Sequence, residues 1–551
     1  MKRFIESYTG KEFDLIVIGG GITGATVAYE AASRGLSVAL IEKSDFGSAT
    51  SAATSKMIHG GLRYLSTFQF SLVRESLRER RVLTNIAPNF VHPVPFLFSN
   101  YKSDKVSTLK MKIAMLLYEL FSFDKNWMKD KSKKMPRFKI ISTEKIKELV
   151  PNANKKELVG AQLYYDCASH SPERLTLAFI KSAINYGASV ANYTQMEGFI
   201  MEESVKFNTI KGIKVIDTIK NKKINVYGKL VINCAGPWAD LVLDKAKSMP
   251  PHPTGNNILR RSEGIHIITN KLVNDYIFSG FTPTDKHFFL VPYRNHTLIG
   301  TTDKEFIGNP DEYKVTRKAI EELLEEVNKS FGDGNKIKYE DIVYTYGGLR
   351  PLVEEQTEDV YNSSRKYEIT GEKKNGIEGL ITVEGGKFTT SRRLAEKAVD
   401  KALKILKLPK KKSISENTYL KGSEIDNFQD FVLEKQKQYA EFLPERIEYL
   451  AKSYGTEIDK LFEIILENPA YKEALNTDGE NLAQVVFAIR NEMAKTLPDI
   501  MLRRTGLAQL GHPSKETLTK VAKLAAKELN WDDEKMKEEI YKLEKILEIP
   551  S

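Results

Sequence analysis

The run Phe13-Asp-Leu-Ile-Val-Ile18 constrains this chain more than any other stretch. A near-continuous apolar segment of that length reads as a strand buried on both faces of a parallel sheet. It runs straight into Gly19-Gly-Gly21-Ile-Thr-Gly24, a G-x-G-x-x-G turn, and residues 22–34 then read as a helix with many small side chains. Ser37 to Ile41 is a second strand, and Glu42 stands at its end. The glycines permit a tight turn and let the backbone approach a pyrophosphate at the helix N-terminus. A carboxylate at the end of the second strand is where an adenosine ribose hydroxyl is met. Gly19, Gly21, Ile22, Thr23, Gly24, Glu42 and the adjacent Lys43 are therefore the expected dinucleotide site.

The 551 residues leave room for three or four units of roughly 150 residues. Apolar residues make up 41% and charged residues 28%, a globular balance that excludes wholesale disorder. The only cysteines, Cys167 and Cys234, exclude a disulfide framework, a four-cysteine zinc site and an all-cysteine iron–sulfur cluster. No metal site is expected, and the cysteine usage fits a reducing compartment. The N-terminus Met-Lys-Arg-Phe-Ile-Glu has no apolar core of a secretory signal. No stretch approaches the roughly 20 apolar residues needed to span a bilayer; Ile113 to Phe121 is too short. The net charge of +10 is local: residues 101–140 hold eleven lysines and arginines against four acids. That patch includes Lys102, Lys105, Lys110, Lys112, Lys129 and Lys133, and it points to a local anionic partner.

Four further motifs carry chemistry. Thr54-Ser55-Lys56-Met-Ile-His59-Gly60-Gly61-Leu62-Arg63-Tyr64-Leu65 sets paired glycines beside His, Arg and Tyr, as backbone packed on a flat or anionic ligand would require. Asn233-Cys-Ala235-Gly236-Pro-Trp238 ends a buried strand with small residues, which permits close contact with a cofactor at the carboxyl end of a sheet. Cys234 reads as a small buried hydrophobe, not a nucleophile. His266 lies in an otherwise apolar strand. Gly300-Thr-Thr-Asp303, Gly347-Gly-Leu-Arg350-Pro and Gly385-Gly386-Lys387-Phe388-Thr389-Thr390 each put a charge beside glycines or hydroxyls at a strand end. Past Pro409-Lys-Lys-Lys-Ser413 the pattern becomes charged and amphipathic at helical spacing, as at Ile447, Leu450 and Tyr454.

Taken in order, these motifs resemble the FAD-dependent, aerobic-type glycerol-3-phosphate dehydrogenases. The resemblance covers residues 13–405 and continues more weakly to Met501-Leu-Arg-Arg504-Thr505. It implies an α/β fold: a Rossmann-like FAD-binding domain (1–85, 155–240 and 345–405), an inserted β-rich substrate domain (86–154 and 241–344) and a C-terminal all-helical domain (415–551). It implies FAD as cofactor, held by the glycine-turn residues and by Thr54, Ser55, Lys56, Gly60, Gly61, Leu62, Ala235, Gly236, Trp238, Gly386, Lys387, Phe388 and Thr389. It implies oxidation of sn-glycerol 3-phosphate to dihydroxyacetone phosphate, with electrons passed to a quinone. Arg63 and Arg350 suit the phosphate dianion, and Tyr64 can add a hydroxyl donor. His266 is the first choice for the proton acceptor and His59 the second. Lys387 would face the pyrimidine end of the flavin, and Asp303 is either a turn anchor or a support of the site. The motif at 165–174 departs from the family pattern, so His170 is not assigned to catalysis.

Leu109, Ile113, Leu116, Leu117 and Leu120 share one helical face flanked by lysines, which suits an anionic membrane surface. The expected location is cytoplasmic, attached to the inner face of the cell membrane, with a homodimer as one assembly the chain could adopt. The closest alternative is a glycerol-3-phosphate oxidase that delivers electrons to oxygen and makes hydrogen peroxide. A non-catalytic flavoprotein would leave the charged motifs without a shared job. Nucleic acid is not expected, because the basic patch lacks a recognition fold.

Overall fold

The computed structural model describes residues 1–101, 108–149, 158–204, 207–246, 259–281, 287–329, 336–353 and 366–551. Lys102 and Lys105 of the basic patch, and the expected boundaries at 154 and 155, lie outside the described residues. Two sheets organise the molecule. The first has six strands in the order Tyr367–Gly371, Leu380–Gly385, Val231–Asn233, Leu15–Ile18, Val38–Ile41 and Ser189–Ala191. All pair in parallel except the Tyr367–Gly371 edge. Side chains alternate across it. Leu15, Val17, Val38 and Leu40 face a helical layer that includes Ile22–Ser33, Pro172–Asn185 and Ser391–Ile405. Ile16, Ile18, Ala39 and Ile41 face a small second layer of strands Thr194–Glu203, Asn208–Asp217 and Lys222–Tyr227. Both faces are thus buried, which is why Leu15–Ile18 reads as an unbroken apolar run.

The second sheet has ten strands and is largely antiparallel. Its centre pairs Arg260–Asn270 with His296–Gly300 on one side and Ile342–Leu352 on the other. Strand Leu158–Ser169 pairs along its length with Val91–Tyr101. So Leu158–Ser169 and Ile342–Leu352 belong by hydrogen bonding to this sheet, whereas the sequence reading groups most of their residues with the dinucleotide domain. Chain order hides this, because strand pairing crosses the two units. Cavity-lining residues come from the carboxyl ends of the parallel strands and from the facing side of this second sheet.

The C-terminal part is helical: Phe428–Gln438, Pro444–Tyr454, Ile458–Glu467, Leu482–Glu492, Lys515–Leu529 and Asp533–Leu547, with a π-helical turn at Asp499–Arg504. It is docked tightly. Leu518 and Val521 share a core with Tyr293 and Tyr344 of the second sheet, and Arg174 forms a two-pronged ion pair with Glu492 at 2.8 and 3.0 Å.

Helix Thr108–Phe121 packs on the molecule through Met111, Met115 and Tyr118. Its other face is open: Leu109 is 67% exposed, Leu120 66%, and the nearby Trp127 65%. Part of the basic patch turns inward. Lys133 is buried and donates to the carbonyls of Pro88 and Val91, and Lys125 binds Glu119 at 2.7 Å. Lys110, Lys112, Lys129, Lys131 and Lys134 stay exposed. No helix among the described residues is long and apolar enough to cross a membrane.

Candidate active site

A single cavity of about 1020 Å³ runs from the glycine turn to the second sheet. That is ample for a dinucleotide and a small substrate together, since sites for single small molecules run about 300–1,000 Å³. At one end its wall is backbone. Gly19 has φ +102°, and a Cβ there would lie 2.6 Å from the Cys234 carbonyl oxygen. A Cβ on Gly24 would collide with the Gly19 carbonyl, so glycine lets the helix seat against the turn. Gly21 caps helix Ile22–Ser33 without a side-chain bond, and Gly21, Ile22 and Thr23 face the cavity. Glu42 also faces it; its carboxylate accepts from Gly20 N at 2.6 Å and Ser44 N at 2.8 Å, and burial raises its pKa. Lys43 lies 4.1 Å over the Trp238 ring, and Asp311 bonds Trp238 Nε1 at 2.9 Å and Lys43 at 2.5 Å. Ala235, Gly236, Thr54, Ser55, Gly61, Leu62, Gly386, Phe388 and Thr389 also line this space.

This cradle fits FAD: backbone that a Cβ would block, a helix start with glycine at its cap for a pyrophosphate and a carboxylate for a ribose. Three expected cofactor residues do not line the cavity. Gly24 acts behind it, as above. Gly60 packs where a Cβ would strike Leu77 and Tyr118. Lys56, at φ +55°, turns away and pairs with Glu173 at 3.1 Å, beneath the Tyr293 ring. Its charge serves a buried partner.

At the other end the wall is side chains. His266 is buried on the central strand of the second sheet, where Ser55 Oγ lies 2.8 Å from its Nε2 and Tyr346 stacks on its ring at 4.9 Å. Its Nδ1 has no hydrogen-bond partner among the described residues. Burial, with Arg350 and Lys56 nearby, holds its pKa well below the usual histidine value, so the ring is neutral. Gly300 makes room for it, since a Cβ there would stand 2.5 Å from the ring. Gly264 likewise makes room for Arg350, whose guanidinium binds Thr301 Oγ1 at 2.6 Å, the Thr302 carbonyl at 3.0 Å and Asp303 at 3.4 Å. Asp303 also receives Ser262 Oγ, so it supports the arginine and is more than a turn anchor.

His59 Nδ1 accepts from Gly61 N at 3.1 Å, and burial together with the Lys387 cation pushes its pKa down to about 4. Lys387 Nζ donates to Ser76 Oγ at 2.6 Å and lies 4.7 Å over the Tyr64 ring, with Arg63 5.2 Å from the same ring. The glycine pair is anchored from behind by Asp166, which accepts from Gly60 N at 3.3 Å and Tyr118 at 2.6 Å and is paired with Arg80. The cavity therefore brings together His59, Arg63, Tyr64, His266, Arg350 and Lys387, which are separated by up to 328 positions in the chain.

Sequence reasoning missed His287, a cavity residue whose pKa burial and Arg63 lower to about 3, and the aromatic wall of Phe96, Phe98 and Phe289. Their signal in sequence is that of ordinary strand residues. Cys234 is buried, and burial raises its thiol pKa, as an inert thiol requires. His170 bonds Ser453 at 3.1 Å, facing the helical part and away from this cavity.

A nucleotide cradle leading to a chamber of neutral histidines and cations defines a flavin-dependent oxidoreductase, and the comparisons agree. The family described as FAD dependent oxidoreductase matches residues 14–391, and the C-terminal domain of alpha-glycerophosphate oxidase matches residues 413–536. The chain belongs to the FAD-dependent oxidoreductases, and within them to the group of glycerol-3-phosphate dehydrogenases and alpha-glycerophosphate oxidases. It is 31% identical to glycerol-3-phosphate dehydrogenase of a Synechocystis species, over 97% of this chain and 96% of that protein. It is 30% identical to alpha-glycerophosphate oxidase of Streptococcus pneumoniae, over 91% and 90%. Among solved structures it is similar to glycerol-3-phosphate dehydrogenase from Bacillus halodurans complexed with FAD, with a TM-score of 0.77, 25% identity and 98% and 95% coverage.

Proposed function

We propose that this protein oxidises sn-glycerol 3-phosphate to dihydroxyacetone phosphate at FAD and passes the electrons to a membrane quinone. The observation that carries the reading is the charge of the chamber: Arg63, Arg350 and Lys387 converge around two histidines held neutral. Cations suit a phosphate dianion, and a neutral imidazole suits the proton of a secondary alcohol. Bound FAD supplies the acceptor for the C2 hydride. Arg350, braced by Asp303, and Arg63 bind and orient the phosphate. His266 takes the hydroxyl proton at Nε2, the nitrogen that Ser55 Oγ approaches at 2.8 Å, and Tyr346 fixes the plane of its ring. Lys387, held by Ser76, provides positive charge where electron density accumulates.

The exposed stripe of Leu109, Ile113, Leu116 and Leu120, flanked by Lys110 and Lys112, supports docking on an anionic bilayer, which is where a quinone is met. This corresponds to peripheral attachment at the inner face of the cell membrane. Leu116→Ser/Leu120→Ser is expected to lose binding to anionic vesicles while keeping substrate oxidation; unchanged vesicle binding rejects the docking face.

The central test is an anaerobic visible spectrum. Flavin bands that bleach on addition of sn-glycerol 3-phosphate support the reaction, and bands that persist reject the substrate. The alternative, an oxidase that makes hydrogen peroxide, draws support from the similarity to the Streptococcus pneumoniae enzyme. Admitting oxygen separates the two, since an oxidase regains its colour within a few turnovers whereas a dehydrogenase regains it slowly.

A further inference from the structure

Between Glu42 and the His59 motif runs Phe46-Gly-Ser-Ala-Thr-Ser-Ala-Ala-Thr-Ser55, a segment without regular helix or strand. It contributes Gly47, Ser48, Thr50, Ser51 and Ser55 to the cofactor cavity. Ser51 Oγ accepts from Ile22 N at 2.9 Å, at the start of the glycine-turn helix, and Ser55 reaches His266. Beyond Phe46 its side chains are too small to fix its shape by packing, so its conformation depends on ties to other parts of the chain. Thr50 is tied to the Leu349 carbonyl at 2.6 Å. The strongest ties stand at the two ends, and both lead to the helical domain.

At the first end, Asp45 is fully buried and its carboxylate accepts from Arg503 Nε at 2.7 Å, Arg504 Nη1 at 2.8 Å and Nη2 at 2.7 Å, and Asn192 at 3.1 Å. Both arginines sit on the π-helical turn, a backbone irregularity that lets two successive arginines reach one carboxylate. Arg504 is itself fixed by the Glu492 carbonyl at 3.1 Å. At the second end, Lys56 binds Glu173, and the next residue, Arg174, binds Glu492 and the Arg504 carbonyl at 2.6 Å. One knot in the helical domain therefore holds both ends of the cofactor-lining segment.

We propose that the C-terminal domain sets the affinity for FAD: Arg503 and Arg504 clamp Asp45 and so preform the segment Phe46–Ser55 that receives the cofactor. Ordering this segment in advance removes a conformational cost from cofactor binding. The test measures the FAD Kd of the full-length holoenzyme, from the fluorescence of FAD released on dilution, alongside the melting temperature. Arg504→Gln and Asp45→Asn are each expected to weaken FAD at least tenfold, with Arg504→Lys weakening it less. Lys435→Met, which breaks the 2.8 Å pair of the buried Lys435 with the partly exposed Asp459 within the helical domain, is expected to lower the melting temperature and leave the FAD Kd within twofold. A Kd within twofold of wild type for Asp45→Asn and Arg504→Gln overturns the proposal, as does an equal weakening by Lys435→Met. Should the single variants fail to fold, Asp45→Asn/Arg504→Met leaves both sides of that pair neutral and reads the same quantity. Weaker FAD there sustains the clamp, and wild-type affinity ends it.

Discussion

At the glycine-turn end of the cavity the wall is backbone and small side chains: Gly19, Gly21, the start of helix Ile22–Ser33, Ser51 and Ala235. At the other end it is large and ionisable side chains, with His59 and Arg63 on one loop, His266 and Arg350 on adjoining strands and Lys387 on another turn. The first end tolerates nothing added, because its function is close approach. The second tolerates nothing removed, because its function is charge and proton handling. Substitutions should therefore fail in opposite ways: added bulk should cost the cofactor, and truncation should cost turnover with the cofactor still bound.

The largest effect is expected from Gly24→Val. Its side chain collides with the Gly19 carbonyl and lifts the helix from the turn, so the purified protein should be colourless; a stoichiometric flavin spectrum would break the contrast. His266→Ala comes next. A positioned proton acceptor contributes roughly 10²–10⁴-fold, so turnover should fall by that amount while the flavin spectrum and FAD content stay normal. Loss of FAD in this variant would mean that the two ends are not separable. Arg350→Lys should be milder. It keeps the charge but loses the planar fork shared among Thr301, Thr302 and Asp303, so KM should rise about tenfold, on the order of 1.4 kcal/mol, with kcat little changed.

The same contrast explains what could be read in the sequence. The backbone end is local: strand, turn, helix and carboxylate lie within residues 13–42, so spacing alone reveals them. The side-chain end is assembled from sites as distant as His59 and Lys387, and each motif alone resembles an ordinary turn. Only their joint resemblance to a family united them. What remained hidden was pairing. Lys56 reads as a ligand-facing cation in a motif rich in them, yet Glu173, more than a hundred residues away, claims it. Lys133 reads as part of a solvated patch, yet the carbonyls of Pro88 and Val91 draw it inside. The Arg503–Arg504 pair is legible only as part of the family resemblance at Met501–Thr505, and nothing near it in sequence announces Asp45. Long-range ion pairs leave no periodic signal.

The subtlest consequence is in pH dependence, and it concerns the side-chain end. An unperturbed histidine base would lose activity as pH falls through about 6.5. Here desolvation disfavours the imidazolium, which lowers His59 to about 4 and takes His266 well below its usual value. Both rings therefore stay neutral as pH falls below 6.5. At saturating substrate, kcat should be level from about pH 8 down to about pH 5. The substrate itself titrates: a phosphate monoester takes up its second proton near pH 6, and Arg63 and Arg350 favour the dianion. So kcat/KM should decline below about pH 6 while kcat does not. On the alkaline side, burial lowers the Lys387 pKa, so the cation is lost below its ordinary 10.5 and kcat should fall there first. Measuring kcat and kcat/KM between pH 5 and 10 separates the groups, since the acid limb of kcat/KM belongs to the ligand and the alkaline limb of kcat to the protein. A kcat that halves near pH 6.5 would mean that the proton acceptor is solvated, and that the burial of His266 behind Ser55 and Tyr346 does not describe the working site.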